Sequence, residues 1–165
     1  MKIAVCPGSF DPVTYGHLDI IHRASMLFDK VIVAVSVNSQ KTTSFTAEER
    51  VAMIKKVTTD FSNVEVDVCE GLLAQYCANI GASAIVKGLR AVSDFEYEFQ
   101  QALANKTLYP QGDTVFLTTS AQNMYLSSSV VKEIARFGGD ISSLVPSEIL
   151  DEISKRLVKK NNIKE

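Results

Sequence analysis

Five short stretches rich in β-branched residues, at 3–6, 31–37, 64–68, 84–87 and 114–119, punctuate the chain. Helical patterns lie between them. Runs such as Val31-Ile32-Val33-Ala34-Val35 are continuously apolar, which suits strands covered on both faces. Leu18, Ile21, Ala24 and Phe28 recur at spacings of three and four after Gly16-His17, so a helix is predicted there. Thr46-Ala47-Glu48-Glu49 is a capping box that opens a helix with Val51, Ile54 and Val57 on one face. Ser93-Asp94-Phe95-Glu96 repeats that signature ahead of a helical stretch reaching about Tyr109. Shorter helices are predicted over 72–80, stopped by Gly81, and over 128–137, stopped by Gly138-Gly139. Pro146 opens a last helix over about 146–159, before a polar tail. Alternation of this kind predicts an α/β fold, a doubly wound five-stranded parallel sheet with right-handed crossovers.

The chain has 165 residues, so one domain over 1–165 suffices, and a closed eightfold barrel of about 250 residues is too large. No linker, internal repeat or low-complexity segment interrupts it. Apolar residues at 46% and a net charge of −2 exclude a disordered chain and give no long-range pull toward nucleic acid. Cys6, Cys69 and Cys77 lack the C-x-x-C spacing of thiolate zinc or redox pairs and read as buried, reduced thiols. No basic start with a long apolar core opens the chain, and no apolar run reaches the roughly 18 residues of a membrane span. A cytoplasmic protein is therefore expected.

Ligands of such sheets sit beyond the carboxyl ends of the strands, which selects the loops to inspect. The first is Pro7-Gly8-Ser9-Phe10-Asp11-Pro12-Val13-Thr14-Tyr15-Gly16-His17. Gly8 permits close backbone approach, Ser9 offers a hydroxyl and an amide, and His17 stands at a helix N-terminus, where anions are favoured. A structural turn with a capping histidine would explain the same residues. The second is Lys87-Gly88-Leu89-Arg90-Ala91-Val92-Ser93-Asp94-Phe95-Glu96-Tyr97-Glu98, with two cations at the ligand edge, of which Lys87 closes an apolar strand and so suits a phosphate role better than that of a plain surface charge. The third is Ser127-Ser128-Ser129-Val130-Val131-Lys132. Its hydroxyls can simply cap a helix, or join the amides and dipole in holding a polyphosphate. His22, five residues after His17, reads as a surface residue, Cys6 as packed, and Phe95, Tyr97 and Phe99 as helix packing.

Thr14-Tyr15-Gly16-His17, preceded by Gly8-Ser9-Phe10-Asp11-Pro12, resembles the first motif of the adenylyl-transferring nucleotidyltransferases. Joined with Phe45-Thr46-Ala47-Glu48-Glu49-Arg50, Lys87-Gly88-Leu89-Arg90, Asp94-Phe95-Glu96-Tyr97-Glu98 and Ser127-Ser128-Ser129, it resembles the bacterial phosphopantetheine adenylyltransferases over residues 4–146. That resemblance implies a Rossmann-like nucleotidyltransferase fold. It implies transfer of AMP from ATP to 4′-phosphopantetheine, giving dephospho-coenzyme A and pyrophosphate. It places Ser9, Phe10, His17, Gly88, Leu89, Arg90, Glu98, Asn123, Met124, Tyr125, Leu126, Ser127, Ser128 and Ser129 at ATP-contacting positions. Ser9, Lys41, Leu73 and Lys87 fall on positions that bind phosphopantetheine. Two departures are mild: Ser9 stands where threonine is also common, and Lys87 where arginine is also seen, which costs the bidentate fork.

The implied chemistry needs no enzyme nucleophile. His17 would be the catalytic residue, donating to charge that builds on the α-phosphoryl group. Lys41 and Lys87 would hold the incoming phosphate, and Arg90 with the serine loop the leaving group. Mg²⁺ is expected to be delivered with ATP, with no dedicated protein metal site; Asp11 is at most an outer partner. The resemblance further implies a homohexamer and feedback inhibition by coenzyme A, and no nucleic-acid or membrane partner. Nicotinate or nicotinamide mononucleotide adenylyltransferases, cytidylyltransferases and class I aminoacyl-tRNA synthetases usually carry histidine where this chain has Thr14. A binding module without turnover would have no need of His17, Lys41, Lys87 and Arg90 together.

Overall fold

The computed structural model describes residues 1–38 and 42–158. Five strands, β1 (Ile3–Gly8), β2 (Lys30–Val37), β3 (Val64–Glu70), β4 (Ala84–Leu89) and β5 (Asp113–Thr118), pair in the order β3-β2-β1-β4-β5. All four pairings are parallel. Among the described residues six α-helices connect and follow them: α1 (Tyr15–Leu27), α2 (Ala47–Val57), α3 (Leu73–Ile80), α4 (Val92–Leu108), α5 (Ser128–Arg136) and α6 (Ser147–Leu157). The strands β1 to β3 step outward in one direction, and β4 then returns to the free side of β1. That reversal makes a switch point between β1 and β4, where open α/β sheets bind ligands.

The central strands are apolar on both faces because helices cover both. Ala4, Cys6, Val31 and Val86 pack under Ile20 and Ala24 of α1. A second cluster on α2, α5 and α6 includes Phe45, Met53, Val131, Ile149 and Ile153. Val5, Ala34 and Ile85 face the other way, against Cys77 of α3. Edge strand β3 instead alternates, with Glu65 and Asp67 pointing to solvent. All three cysteines are free and buried, and burial pushes the Cys6 thiol up to about 12, so it packs as a small apolar group.

Local signals set most helix boundaries. The Thr46 hydroxyl accepts from Glu49 N while the Glu49 carboxylate accepts from Thr46 N, the reciprocal box expected there. Gly81, at φ 64°, ends α3. One expectation needs correction. Ser93 caps nothing: α4 begins at Val92, and Asp94 accepts instead from the Arg90 backbone amide and Nε. Phe95, Tyr97 and Phe99 pack only in part: rings of α4 touch one another and β5, but the helix buries none of its side chains. They are 41%, 63% and 46% exposed, with Phe95 stacked on Phe99 and edge-on to Phe116. The last helix ends at Leu157, and the tail beyond 158 lies outside the described residues. Among the described residues no helix is long and apolar enough to cross a membrane.

Candidate active site

The carboxyl ends of β1 and β4 open into a cavity of about 440 Å³, a size that suits a nucleotide-sized ligand. The parallel ladder carries both strands further than their apolar runs, to Gly8 opposite Val35 and to Leu89 opposite Thr118. Gly88 sits under α1: a Cβ there would lie 2.9 Å from Ile20 Cγ1. Phe10, His17, Lys87, Gly88, Arg90, Glu98, Leu126, Ser127 and Ser128 all line this cavity. In the sequence they are spread over three segments, 7–17, 87–98 and 123–129.

His17 is held by the start of its own helix. Thr14 is the N-cap of α1: its hydroxyl accepts from His17 N at 3.3 Å, and its backbone N donates to His17 Nδ1 at 3.1 Å. This is a capping box with histidine in the place usually taken by Glu or Gln. Because Nδ1 accepts an N–H, the neutral ring carries its proton on Nε2. Burial first, then the nearby Arg90 charge, pushes the His17 pKa down to about 4, so the ring is neutral at pH 7. A neutral imidazole with Nε2–H is a hydrogen-bond donor toward the cavity. The Phe10 ring packs edge-on against it, centroids 5.0 Å apart.

The cations come from β4 and the turn after it. Lys87 Nζ lies 3.2 Å from Glu98 Oε2, and that buried oxygen has no hydrogen-bond partner among the described residues. Arg90 donates through Nε to Asp94 and through Nη1 to Leu126 O, joining the start of α4 to the serine loop. The three serines divide their labour. Ser127 caps α5 by accepting from Val130 N, and the Ser128 hydroxyl donates to Pro12 O at 2.8 Å. Ser129 is exposed and lies outside the cavity lining.

Other candidate residues fall elsewhere. Ser9 is exposed and is not among the residues that line the cavity, and Leu89 ends β4 with its carbonyl accepting from Thr119 N. Asn123 is buried, while Met124 and Tyr125 are exposed; Asn123 and Tyr125 line a second hollow beside His22 and Phe61. His22 is exposed there and stacks on Phe61, as a surface histidine should. Leu73 packs at the start of α3, away from the cavity. Lys41 lies outside the described residues. Asp11 is 4% exposed and accepts from Ser44 N, Phe45 N and Lys132 Nζ. Among the described residues no group of three or more His, Cys, Asp or Glu could hold a metal ion.

Sequence reasoning missed Arg50, 3% exposed, which donates to Ser9 O, Ser36 O and Thr46 O. It also missed Tyr97 and Thr119 in the cavity wall. The spacing Thr14-x-x-His17 was the one available sign of the histidine box.

The cytidylyltransferase-like family model matches residues 5–134. The solved nicotinic acid mononucleotide adenylyltransferase of Plasmodium falciparum, complexed with NaAD, superposes with a TM-score of 0.66. It covers 93% of this chain and 95% of its own at 15% identity, which establishes the fold. A phosphopantetheine adenylyltransferase of Caldanaerobacter subterraneus is 57% identical over 160 residues, 97% of this chain and 98% of that protein. One from Rubrobacter xylanophilus is 57% identical over 153 residues, 93% of each. Identity at more than half the positions across almost the whole of both chains places this chain in the phosphopantetheine adenylyltransferase family of nucleotidyltransferases.

Proposed function

We propose that the chain transfers the adenylyl group of ATP to 4′-phosphopantetheine, giving dephospho-coenzyme A and pyrophosphate in coenzyme A synthesis. The observation that carries this reading is the fixed neutral His17, with Nε2–H available to a cavity shared by Lys87, Gly88, Arg90 and the start of α5. A phosphate oxygen of the acceptor attacks the α-phosphorus of ATP in line. The bond to the β-phosphate breaks, and pyrophosphate leaves with that electron pair. The attacking oxygen is already ionised, so no general base is needed. His17 donates to the α-phosphoryl oxygens as charge shifts onto them. Lys87 and Lys41 hold the acceptor phosphate beside Ser9. Arg90 and the serine loop take the ATP phosphates. Magnesium travels on those phosphates, since Asp11 already serves two amides and an ammonium.

Mixing the protein with MgATP and one acceptor at a time, and following pyrophosphate, tests the assignment. Release should require 4′-phosphopantetheine. Release with nicotinamide mononucleotide alone, or with no acceptor tried, would overturn it. Coenzyme A carries the same pantetheine arm and should compete for the same site.

Self-association, to a hexamer on the family pattern, belongs to this reading. Phe95, Phe99 and Leu103 form an apolar stripe at spacings of four on α4 and are 41%, 46% and 55% exposed. Sedimentation should therefore give a mass well above 18.1 kDa, and a monomer at micromolar concentration would count against it.

A further inference from the structure

Among the described residues, Phe10 is the one non-glycine with positive φ, at 49°. A bulky L-residue holds that conformation only where its surroundings impose it, and such positions cluster at functional sites. The residues on each side of Phe10 are gripped by buried charged side chains. Before it, the Ser9 carbonyl accepts from Arg50 Nη1 at 2.7 Å. The same guanidinium donates to Ser36 O at the end of β2 and to Thr46 O at the cap of α2. After it, the Asp11 carboxylate accepts from Ser44 N and Phe45 N and pairs with Lys132 Nζ of α5 at 3.0 Å. The Phe10 ring folds back over Gly8, where a Cβ would meet it at 3.0 Å, and abuts the His17 ring at an interplanar angle of 68°.

We propose that Arg50 and Asp11 are positioning residues for adenylyl transfer. They clamp the peptides flanking Phe10, keep its backbone left-handed and its ring against His17, and so hold the imidazole with Nδ1 on Thr14 N and Nε2–H toward the cavity. The inference rests on the reaction proposed above. It gives the Phe45-Thr46-Ala47-Glu48-Glu49-Arg50 segment a catalytic purpose beyond its capping box. A guanidinium suits the task because its donors lie in one rigid plane and reach three carbonyls at once; an ammonium on a flexible stem cannot bridge them. A carboxylate likewise accepts two amides and an ammonium together.

The test uses the full chain with Arg50→Lys and Asp11→Asn, each alone and combined with His17→Ala. The chain has two histidines, so imidazole ¹⁵N spectra of a His22→Gln background report His17 alone. At neutral pH the parent should show one tautomer, with the proton on Nε2. Arg50→Lys should shift both nitrogens toward a mixture of tautomers. It should lower kcat by about ten- to a hundredfold, the scale of a misplacement near 1 Å, with KM for ATP little changed. In the His17→Ala background the same substitution should change kcat by no more than about twofold, because the ring it positions is gone. Unchanged His17 nitrogens, or an equal loss of kcat in that background, would overturn the proposal. A His17→Ala enzyme with full kcat would instead overturn the role given to His17 in the reaction. Asp11→Asn, nearly isosteric, carries the same readouts if Arg50→Lys yields no folded chain.

Discussion

A His17→Ala variant is expected to lose on the order of 10²–10³ in kcat, or about 3–4 kcal/mol of transition-state stabilisation, while its affinity for ATP stays within several-fold. The asymmetry follows from what the ring does. In the proposed reaction its Nε2–H meets charge that is fully developed only in the transition state, so deleting it should spare ground-state binding. His22→Ala, which removes a ring stacked on Phe61 in the second hollow, should turn over like the parent. Rapid-quench measurement of a single turnover separates the chemical step from product release. A His17→Ala chemical step as fast as the parent's would leave Lys87, Arg90 and the serine loop as the whole of catalysis.

The same ring has a pH signature. Its folded pKa, about 4, lies below the ordinary value of 6.5, so the native state resists its protonation. Between those values the unfolded chain binds the proton and the folded one does not. Stability should therefore be fully present above pH 6.5 and fall as pH drops toward 4. His17→Gln should flatten that part of the stability profile. No inflection in kcat between pH 6 and 7 should be traceable to His17.

Lys87→Ala should raise KM for phosphopantetheine by about ten- to a hundredfold, the scale of one lost charge-assisted hydrogen bond, with KM for ATP within about threefold. The upper end is expected because of Glu98. Lys87 stands 3.2 Å from Glu98 Oε2, and removing the ammonium would leave that buried oxygen's carboxylate without its cation in the cavity proposed to take the acceptor phosphate. Lys87→Arg keeps the charge and should recover most of the loss. Initial-rate kinetics with each substrate varied in turn checks this. Equal increases in both KM values would show that Lys87 does not belong to the acceptor side.

Much of this was legible in the chain before folding. Val31-Ile32-Val33-Ala34-Val35 suits a strand covered twice, and Thr46-x-x-Glu49 suits the opening of a helix. Both are effects of neighbours two to four residues apart, and the structure has them as expected. The order of those elements selected the loops after β1 and β4, and with them His17, Lys87, Gly88 and Arg90. Tertiary structure alone decided what the remaining polar groups do. Arg50 lies four residues into an amphipathic helix and looks like any surface arginine, yet its partners include carbonyls 41 and 14 residues away. Nothing in the sequence around Asp11 announces its partners, the amides of Ser44 and Phe45 and, from 121 residues further on, Lys132. Phe95 and Phe99 read as helix packing, and the fold leaves them 41% and 46% exposed, with Phe95 set against Phe116 of β5. Periodicity and capping are local and are written in the sequence, whereas the partner of a buried charge is whichever group the finished fold brings within about 3 Å.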